Sequence, residues 1–423
     1  MNGERKASPL RSFRLVCRDA EIPLTEALLR SEGYQFEELA FSRWARQLVR
    51  EPKPLGQSAA AVFGLVYIQD KASMLPALQV EPEPGEPLLD LCASPGGKAG
   101  LAAGMGGPDS LVVANEPGRR RLATLRWNMQ AQNLANVVTC GYPGEHLPLP
   151  AETFSWILLD PPCSGWGTAE KNPRVLDMWR DERLEPLIRL QRSLLARACD
   201  LLAPGGRIIY STCTTNRAEN EDQAAWAVRE CGLEPGRIEP LPGFVWEEPR
   251  SGEAEGSMRV NGPESQSQSF FLACLRKAGA GRRGPSARPA GGAPEVAPEL
   301  RGGGIAWERL PPGEVAAEAG RAVFRPAEAL ELLPPSFRWR GFTLGRPAPQ
   351  GVVPAPRARI LLPPPDDGRD LVATEPELLH RLINGQSVDV GASGAKRMGL
   401  YWGELPLGWL TVKKNRALWS DRY

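Results

Sequence analysis

Two apolar runs that each lead into a cysteine-containing motif constrain this chain more than any other feature. Residues 155–159 precede Asp160-Pro161-Pro162-Cys163, and residues 206–210 precede Ser211-Thr212-Cys213. Short continuous apolar runs are typical of strands buried on both faces of a parallel sheet. Ligands of open α/β sheets bind at the carboxyl ends of such strands. We therefore expect the two thiols to face one crevice, where polar neighbours can lower a thiol pKa.

The region from residue 87 to residue 274 alternates strand-like and helix-like segments, which predicts a doubly wound α/β domain. Strands are predicted near residues 87–92, 110–115, 136–140, 155–160 and 206–211, with a hairpin-like pair near 243–246 and 269–275. Helices are predicted near residues 97–103, 117–132, 183–202 and 217–231.

The flanking segments have a different character. Apolar residues at helical spacing predict a helix over 23–50, and residues 62–68 form a strand-like run. Residues 278–304 are rich in Gly, Pro, Ala and Arg, which predicts a flexible linker. Beyond it, β-rich segments near residues 360–362, 398–402 and 408–412 predict a small, mostly β domain. The predicted units are residues 1–80 (a small α/β segment), 81–277, 278–304 and 305–423.

Composition excludes several classes of site. The formal net charge is only +1, although residues 396–423 carry six basic side chains against two acidic ones. That tail is either a solvated surface or a nucleic-acid contact. The eight cysteines include no close CxxC pair and there are only two histidines, so we expect no metal site and no disulfide framework. A polar N-terminus without a long apolar stretch predicts no membrane segment and a cytoplasmic location.

The segment after residue 91 predicts a cofactor loop, with these candidate residues: Cys92, Ala93, Ser94, Pro95, Gly96, Gly97 and Lys98. Glycines let a ligand approach the backbone, and a helix N-terminus offers free N–H groups to an anion. The segment supplies neither G-x-G-x-x-G nor the P-loop pattern, so S-adenosylmethionine fits better than a dinucleotide or a nucleoside triphosphate. Glu116 follows the next strand and can accept hydrogen bonds from a ribose; the alternative is a helix N-terminal acid.

The Asp160-Pro161-Pro162-Cys163 motif bears on the reaction. Methyltransferases that act on exocyclic amines carry an aromatic residue at the fourth position, where it stacks on a base swung out of its helix. Cysteine at position 163 removes that stacking platform. Methylation of a pyrimidine carbon is the alternative, because it requires a nucleophile to add to the ring, and a thiolate does this well.

Together, residues 90–98, 160–165 and 211–214 resemble the motifs of the NSUN-like or RsmB/RsmF family of RNA 5-methylcytosine methyltransferases, the RsmF type above all. The resemblance covers roughly residues 60–277. It implies a Rossmann-like class I methyltransferase fold, S-adenosyl-L-methionine as cofactor, and RNA as substrate. Cys213 would attack cytosine C6, Cys163 would help remove the C5 proton and release the adduct, Asp160 would bind the base, and Lys98 would contact the substrate. Asp160 is also expected at the cofactor.

The same resemblance assigns roles to the flanking units. Residues 1–80 would bind RNA or cover the cofactor, and residues 305–423 would be an RsmF-like, PUA-like RNA-binding extension. This extension favours rRNA over tRNA as substrate, and we expect a monomer. One departure stands out, since many relatives carry an adenine-contacting aspartate where this chain has residues 139–144 without an acid. Tyr142 is a candidate to pack against the adenine instead, and an inactive RNA-binding ribosome-assembly factor is the alternative function.

Overall fold

The computed structural model describes residues 11–81, 86–170, 172–178, 181–250, 254–280, 293–302, 304–366, 369–391 and 394–421. The N-terminal elements are β1 (Ser12–Leu15), α1 (Ile22–Ser31), β2 (Gln35–Glu38), β3 (Ala45–Arg50), α2 (Ala59–Val62), β4 (Val66–Ile68) and α3 (Leu75–Leu78). Their strands form an antiparallel sheet in the order β2-β3-β1-β4.

The helix predicted over residues 23–50 is wrong beyond Ser31. The chain leaves α1 through Gly33, whose φ of +86° favours glycine, and then forms β2 and β3. Pairing of β3 with β1 outweighs the helical spacing of the apolar residues. In the strand-like run 62–68 only Val66–Ile68 is a strand. The run begins with Val62, the last residue of α2, and Ser58 caps that helix by accepting a hydrogen bond from the Ala61 N–H.

The central elements are β5 (Leu88–Asp90), α4 (Gly97–Gly106), β6 (Val112–Asn115), α5 (Arg119–Gln132), β7 (Val137–Cys140), β8 (Phe154–Leu159), α6 (Arg174–Met178), α7 (Asp181–Leu201), β9 (Leu202–Thr212), α8 (Glu221–Cys231), β10 (Glu234–Pro235), β11 (Trp246–Glu247), β12 (Ser257–Val260) and β13 (Phe270–Arg276). This confirms the predicted α/β fold. The five strands β9, β8, β5, β6 and β7 are parallel and adjacent in that order, and β13 joins β9 antiparallel.

The chain order reverses at β5, which lies between β6 and β8. Crevices at such switch points, outside the carboxyl ends of the strands, hold the ligands of doubly wound folds. The hairpin predicted for residues 243–246 and 269–275 is wrong, because β12 lies between them and pairs with both β11 and β13. Because the residues that follow β12 are rich in Gln and Ser, the sequence did not indicate this intervening strand.

The C-terminal elements are β14 (Glu295–Val296), β15 (Gly313–Glu318), β16 (Arg321–Pro326), α9 (Ala327–Leu332), β17 (Trp339–Arg340), β18 (Phe342–Ala348), β19 (Gly351–Pro354), β20 (Leu371–Ala373), α10 (Pro376–Ile383), β21 (Val388–Asp389), β22 (Arg397–Trp402), β23 (Leu405–Lys413) and β24 (Arg416–Leu418). They build two five-stranded sheets, β14-β15-β16-β18-β19 and β20-β22-β23-β24-β21. Residues 281–292 of the predicted linker lie outside the described residues. Near the end of the predicted linker, Val296 and Leu300 are buried.

The strand predicted near residues 360–362 is wrong, since Arg359–Leu361 is a short 3-10 helix. The buried Arg359 guanidinium donates to the carbonyls of Phe63, Ala131 and Val16, which draws this turn onto the N-terminal and central parts of the chain. Strand β17 pairs antiparallel with β7 and extends the central sheet. Among the described residues, none of the helices has the length and apolar character that spanning a bilayer requires.

Candidate active site

The two cysteines predicted to share a crevice are in contact. Cys163 follows β8, Cys213 follows β9, and their Sγ atoms lie 3.5 Å apart. The loop after Cys163 folds back on the second motif, where the Gly167 N–H donates to the Cys213 carbonyl at 2.9 Å. A Cβ on Gly167 would come within 2.7 Å of that carbonyl oxygen, so only glycine permits this approach. Parallel pairing of β8 with β9 therefore brings the thiols together.

Glu219 holds the two cysteine loops in register. It is fully buried in the short helix Arg217–Glu219, and its carboxylate accepts from the Ser164 N–H at 2.8 Å and the Ser164 hydroxyl at 2.5 Å. The Ser164 Oγ also lies 2.7 Å from the Thr214 Oγ1. Gln191 of α7 donates to the same carboxylate at 3.0 Å. Each cysteine is thus next to a residue of one buried network, which fixes its backbone.

A second polar group borders the thiols. Lys98, in the first turn of α4, donates to Asp160 Oδ2 at 2.7 Å, and the Ser211 hydroxyl donates to Oδ1 at 3.1 Å. The Lys98 ammonium also lies 5.5 Å from the centre of the Phe270 ring. Although burial opposes its charge, the ion pair with Asp160 raises the pKa of Lys98. Lys98 therefore supplies a fixed positive charge at the crevice.

The environment separates the pKa values of the two thiols. The hydrogen bond from Cys163 lowers the pKa of Cys213; burial and Asp160 oppose this effect, and the Lys98 charge supports it. The same contact, together with burial, raises the pKa of Cys163 well above its ordinary value. Cys213 is therefore the thiol that ionises first, and Cys163 is the one that stays protonated.

The candidate cofactor residues 92–96 lie in the β5–α4 loop, at the carboxyl end of β5. Gly97 and Lys98 follow in the first turn of α4, where the Lys98 side chain is largely buried. Gly96 has φ +106°, a backbone conformation that favours glycine. Asn128 donates to the Pro95 carbonyl at 2.7 Å, which fastens the loop to α5.

Acidic groups flank this loop. Glu116 directly follows β6; its buried carboxylate accepts from the Gly118 N–H at 2.8 Å and pairs with Arg121 at 3.2 Å. Both predicted readings of Glu116 remain compatible with this geometry. Asp90, at the end of β5, is buried beneath the loop, and its carboxylate oxygens accept no well-formed hydrogen bond from the described residues. Burial raises the pKa of Asp90 to about 7.

Tyr142 is engaged by the C-terminal region. Its ring stacks on Phe337 with centroids 4.9 Å apart, and its hydroxyl accepts from the Arg338 N–H at 2.7 Å. If adenine packs against Tyr142 as predicted, it therefore contacts a ring that already stacks on Phe337. The side chain of Asn115, buried at the end of β6, donates to the Tyr142 carbonyl and accepts from the Tyr142 N–H.

Sequence reasoning missed Glu219 and Phe337 as parts of the site. Glu219 lies among Arg217, Glu221 and Asp222, where an acid suggests a helix N-terminus. Phe337 lies far along the chain from Tyr142, and a Pro-rich context gives no signal of the contact. In the part of the chain that the structure describes, groups of His, Cys, Asp and Glu placed to hold a metal ion are absent.

Comparison with known proteins assigns these motifs to a family. Residues 77–276 match the family model described as 16S rRNA methyltransferase RsmB/F. Proteins named ribosomal RNA small subunit methyltransferase F are similar, one from Shewanella loihica (34% identical over 262 residues; 59% of this chain, 53% of the relative) and one from Citrobacter koseri (36% over 241 residues; 56% and 50%). The chain thus spans about half the length of these curated relatives.

A solved structure of a methyltransferase homologue from Pyrococcus horikoshii is similar in fold, with a TM-score of 0.55 and 28% identity over 63% of this chain and 86% of that one. The matched residues contain both cysteine motifs, the β5–α4 loop and the Lys98–Asp160 pair. Residues 77–276 of this chain are therefore similar to the RsmB/F family of methyltransferases.

Proposed function

We propose that this protein is an S-adenosylmethionine-dependent RNA cytosine-C5 methyltransferase acting on small-subunit rRNA. The observation that carries the proposal is the 3.5 Å contact of Cys163 with Cys213 beside the Lys98–Asp160 pair. Two thiols with separated pKa values suit a reaction that needs one nucleophile and one proton-transfer group. The names of the similar relatives support rRNA as the substrate.

Cys213 is the nucleophile in this proposal. Its thiolate adds to cytosine C6, and the electron pair of the C5–C6 double bond makes C5 nucleophilic. Asp160 and Lys98 hold the base and stabilise the charge that develops on the ring after attack. Because the contact with Cys163 lowers the Cys213 pKa, this thiol forms its thiolate more readily than an ordinary cysteine.

Cys163 acts after the methyl group has been transferred to C5. Once Cys213 is bonded to C6, the contact that raises the pKa of Cys163 is lost, and Cys163 can release its proton to solvent. Its thiolate then accepts the C5 proton, the C5–H electron pair re-forms the C5–C6 double bond, and the C6–S bond breaks to release Cys213 as thiolate. Cys163 lies next to the forming and breaking C6–S bond because the two sulfurs are in contact. This role keeps the covalent adduct transient.

S-adenosylmethionine, when bound, supplies the methyl group of the reaction. The first turn of α4 and residues 92–97 are suited to its amino-acid moiety, and Glu116 to its ribose. Asp160 borders both this loop and the thiols, so it is suited to orient the cofactor and the base together.

The test compares two cysteine variants on small-subunit rRNA from cells lacking the gene. We expect Cys213→Ala to bind RNA but to form no 5-methylcytosine, and Cys163→Ala to accumulate a covalent protein–RNA adduct on a denaturing gel. Cys274→Ala, at a buried core cysteine, is the matched control and should retain transfer. Unchanged 5-methylcytosine formation by Cys213→Ala would overturn the assigned nucleophile.

The second candidate is an inactive RNA-binding ribosome-assembly factor with the same fold. It is favoured by the absence of an acid in residues 139–144 and by the stacking of Tyr142 on Phe337, both near the expected adenine position. Calorimetry with S-adenosylmethionine separates the candidates, because saturable heat supports the enzyme and no binding supports the inactive factor. Assays on tRNA from the same cells test the alternative substrate.

A further inference from the structure

A basic groove separates the two C-terminal sheets. It is a cavity of about 430 Å³ between β16, β18 and β19 on one side and β22 and β23 on the other. Three arginines line it, Arg321 at the start of β16, Arg346 on β18 and Arg397 at the start of β22. Because these positions are far apart in the chain, the packing of the sheets is what brings the three charges together.

The positive charge of the groove is not neutralised within the described residues. None of the three guanidinium groups makes an ion pair or hydrogen bond with another described residue. The Nη1 atom of Arg397 is buried and has no acceptor there. The acid that lines the groove, Asp421, is bound by Arg357. A buried guanidinium nitrogen without an acceptor is costly, so an anionic ligand would stabilise this arrangement.

Further arginines extend the groove toward the catalytic domain. Burial and the Arg321 charge lower the pKa of Arg340 on β17, and burial and the Arg340 charge lower that of Arg126 on α5. These like charges are therefore neighbours in a row. Helix α5 begins at Arg119, and its first-turn Arg121 donates to the Ser94 carbonyl of the candidate cofactor loop. The row thus runs from the groove toward the edge of the sheet that carries the active site.

Several neighbouring arginines suit a ligand with regularly repeated anionic groups. Guanidinium groups bind phosphate oxygens through two parallel N–H donors, and hydroxyls add neutral contacts. Thr411 and Ser420, which also line the groove, supply such hydroxyls. We propose that this groove binds the phosphate backbone of the RNA substrate at a distance from the target cytosine. The proposal rests on the proposed function and deepens it by assigning a substrate-positioning surface.

The experiment measures binding of the full-length protein to a fluorescein-labelled 30-nucleotide oligocytidylate at several salt concentrations. The test variant is Arg321→Gln/Arg346→Gln/Arg397→Gln. The control is Arg189→Gln/Arg229→Gln/Arg237→Gln, which removes three exposed arginines, on α7, on α8 and after β10, that do not line the groove. Each phosphate contact to a single strand adds about 0.7 to the slope of log K against log salt, so we expect the test variant to lose about 2 from that slope. At about 0.1 M salt its affinity should fall at least ten-fold.

The control should keep the wild-type slope and affinity. If the test variant keeps the wild-type slope of log K against log salt and has the same circular dichroism as the wild type, the proposed RNA binding by the groove is overturned. Failure of the proposed function would give a different result. The wild-type protein would form no 5-methylcytosine, while the test variant would still lose salt dependence of RNA binding. The groove would then be an RNA site on a protein that is not an enzyme.

Discussion

The Cys163 and Cys213 sulfurs lie 3.5 Å apart, and this contact makes the two thiols unequal. This contact lowers the pKa of Cys213 and raises that of Cys163. The pair is therefore asymmetric before any substrate binds. This asymmetry supports Cys213 as the proposed nucleophile.

Removing the Cys163 thiol should raise the pKa of Cys213. The hydrogen bond from Cys163 is the largest cause of the lowered pKa, so Cys163→Ala removes the stabilisation of the thiolate. We expect the pH midpoint of Cys213 alkylation by iodoacetamide, followed by mass spectrometry, to move to higher pH. Cys163→Ser keeps a donor and should move the midpoint less. A midpoint that stays in place in Cys163→Ala would contradict the assigned cause.

Neutralising Glu219 should loosen the cysteine loops. In Glu219→Gln, one carboxylate oxygen becomes an NH₂ group that faces the donors of Ser164 and Gln191. A buried donor left without an acceptor costs about 1–3 kcal/mol, and we expect that loss in the free energy of unfolding. Urea titration measures it. Glu230→Gln, on the exposed side of α8, is the control and should change stability by less than about 0.5 kcal/mol.

Asp90 should make stability fall with rising pH. Burial raises its folded pKa to about 7, above the unfolded value of about 3.9, so the folded protein binds more protons between these values. The stabilisation is complete below pH ~4 and is lost as pH rises to about 7. The difference in unfolding free energy, Asp90→Asn minus wild type, should therefore increase from pH 4.5 to 7.5 in urea titrations. A pH-independent difference would contradict the raised pKa.

Phe337 should stabilise the catalytic domain despite its position in the C-terminal region. It is 5% exposed and shares a core with Ala329, Leu333, Val138 and Cys140. Phe337→Ala should lower the free energy of unfolding by about 3 kcal/mol. Leu330→Ala, at a residue 41% exposed, is the control and should cost much less. An equal effect of both variants on the urea midpoint would show that Phe337 is not part of that core.

The strands of the parallel sheet and the ends that carry the site could be predicted from sequence. Continuous apolar runs such as residues 155–159 have one favourable environment, the middle of a parallel sheet, so β8 was found together with Asp160 and Cys163. Residues 23–50 and 360–362 could not be predicted in the same way. Their structure depends on Gly33, on pairing with β1 and on the carbonyls to which Arg359 donates. The local spacing of apolar residues gives no information on such partners.

The amino-acid sequence by itself determined the α/β fold of the catalytic region and the chemistry of its strand ends, because periodicity and motif composition are local properties. Only the tertiary structure decided that the two thiols are in contact, that Glu219 holds both cysteine loops, and that Phe337 and Tyr142 meet. Those relationships arise from distances and burial between segments remote in the chain, where packing brings together groups that sequence spacing keeps apart.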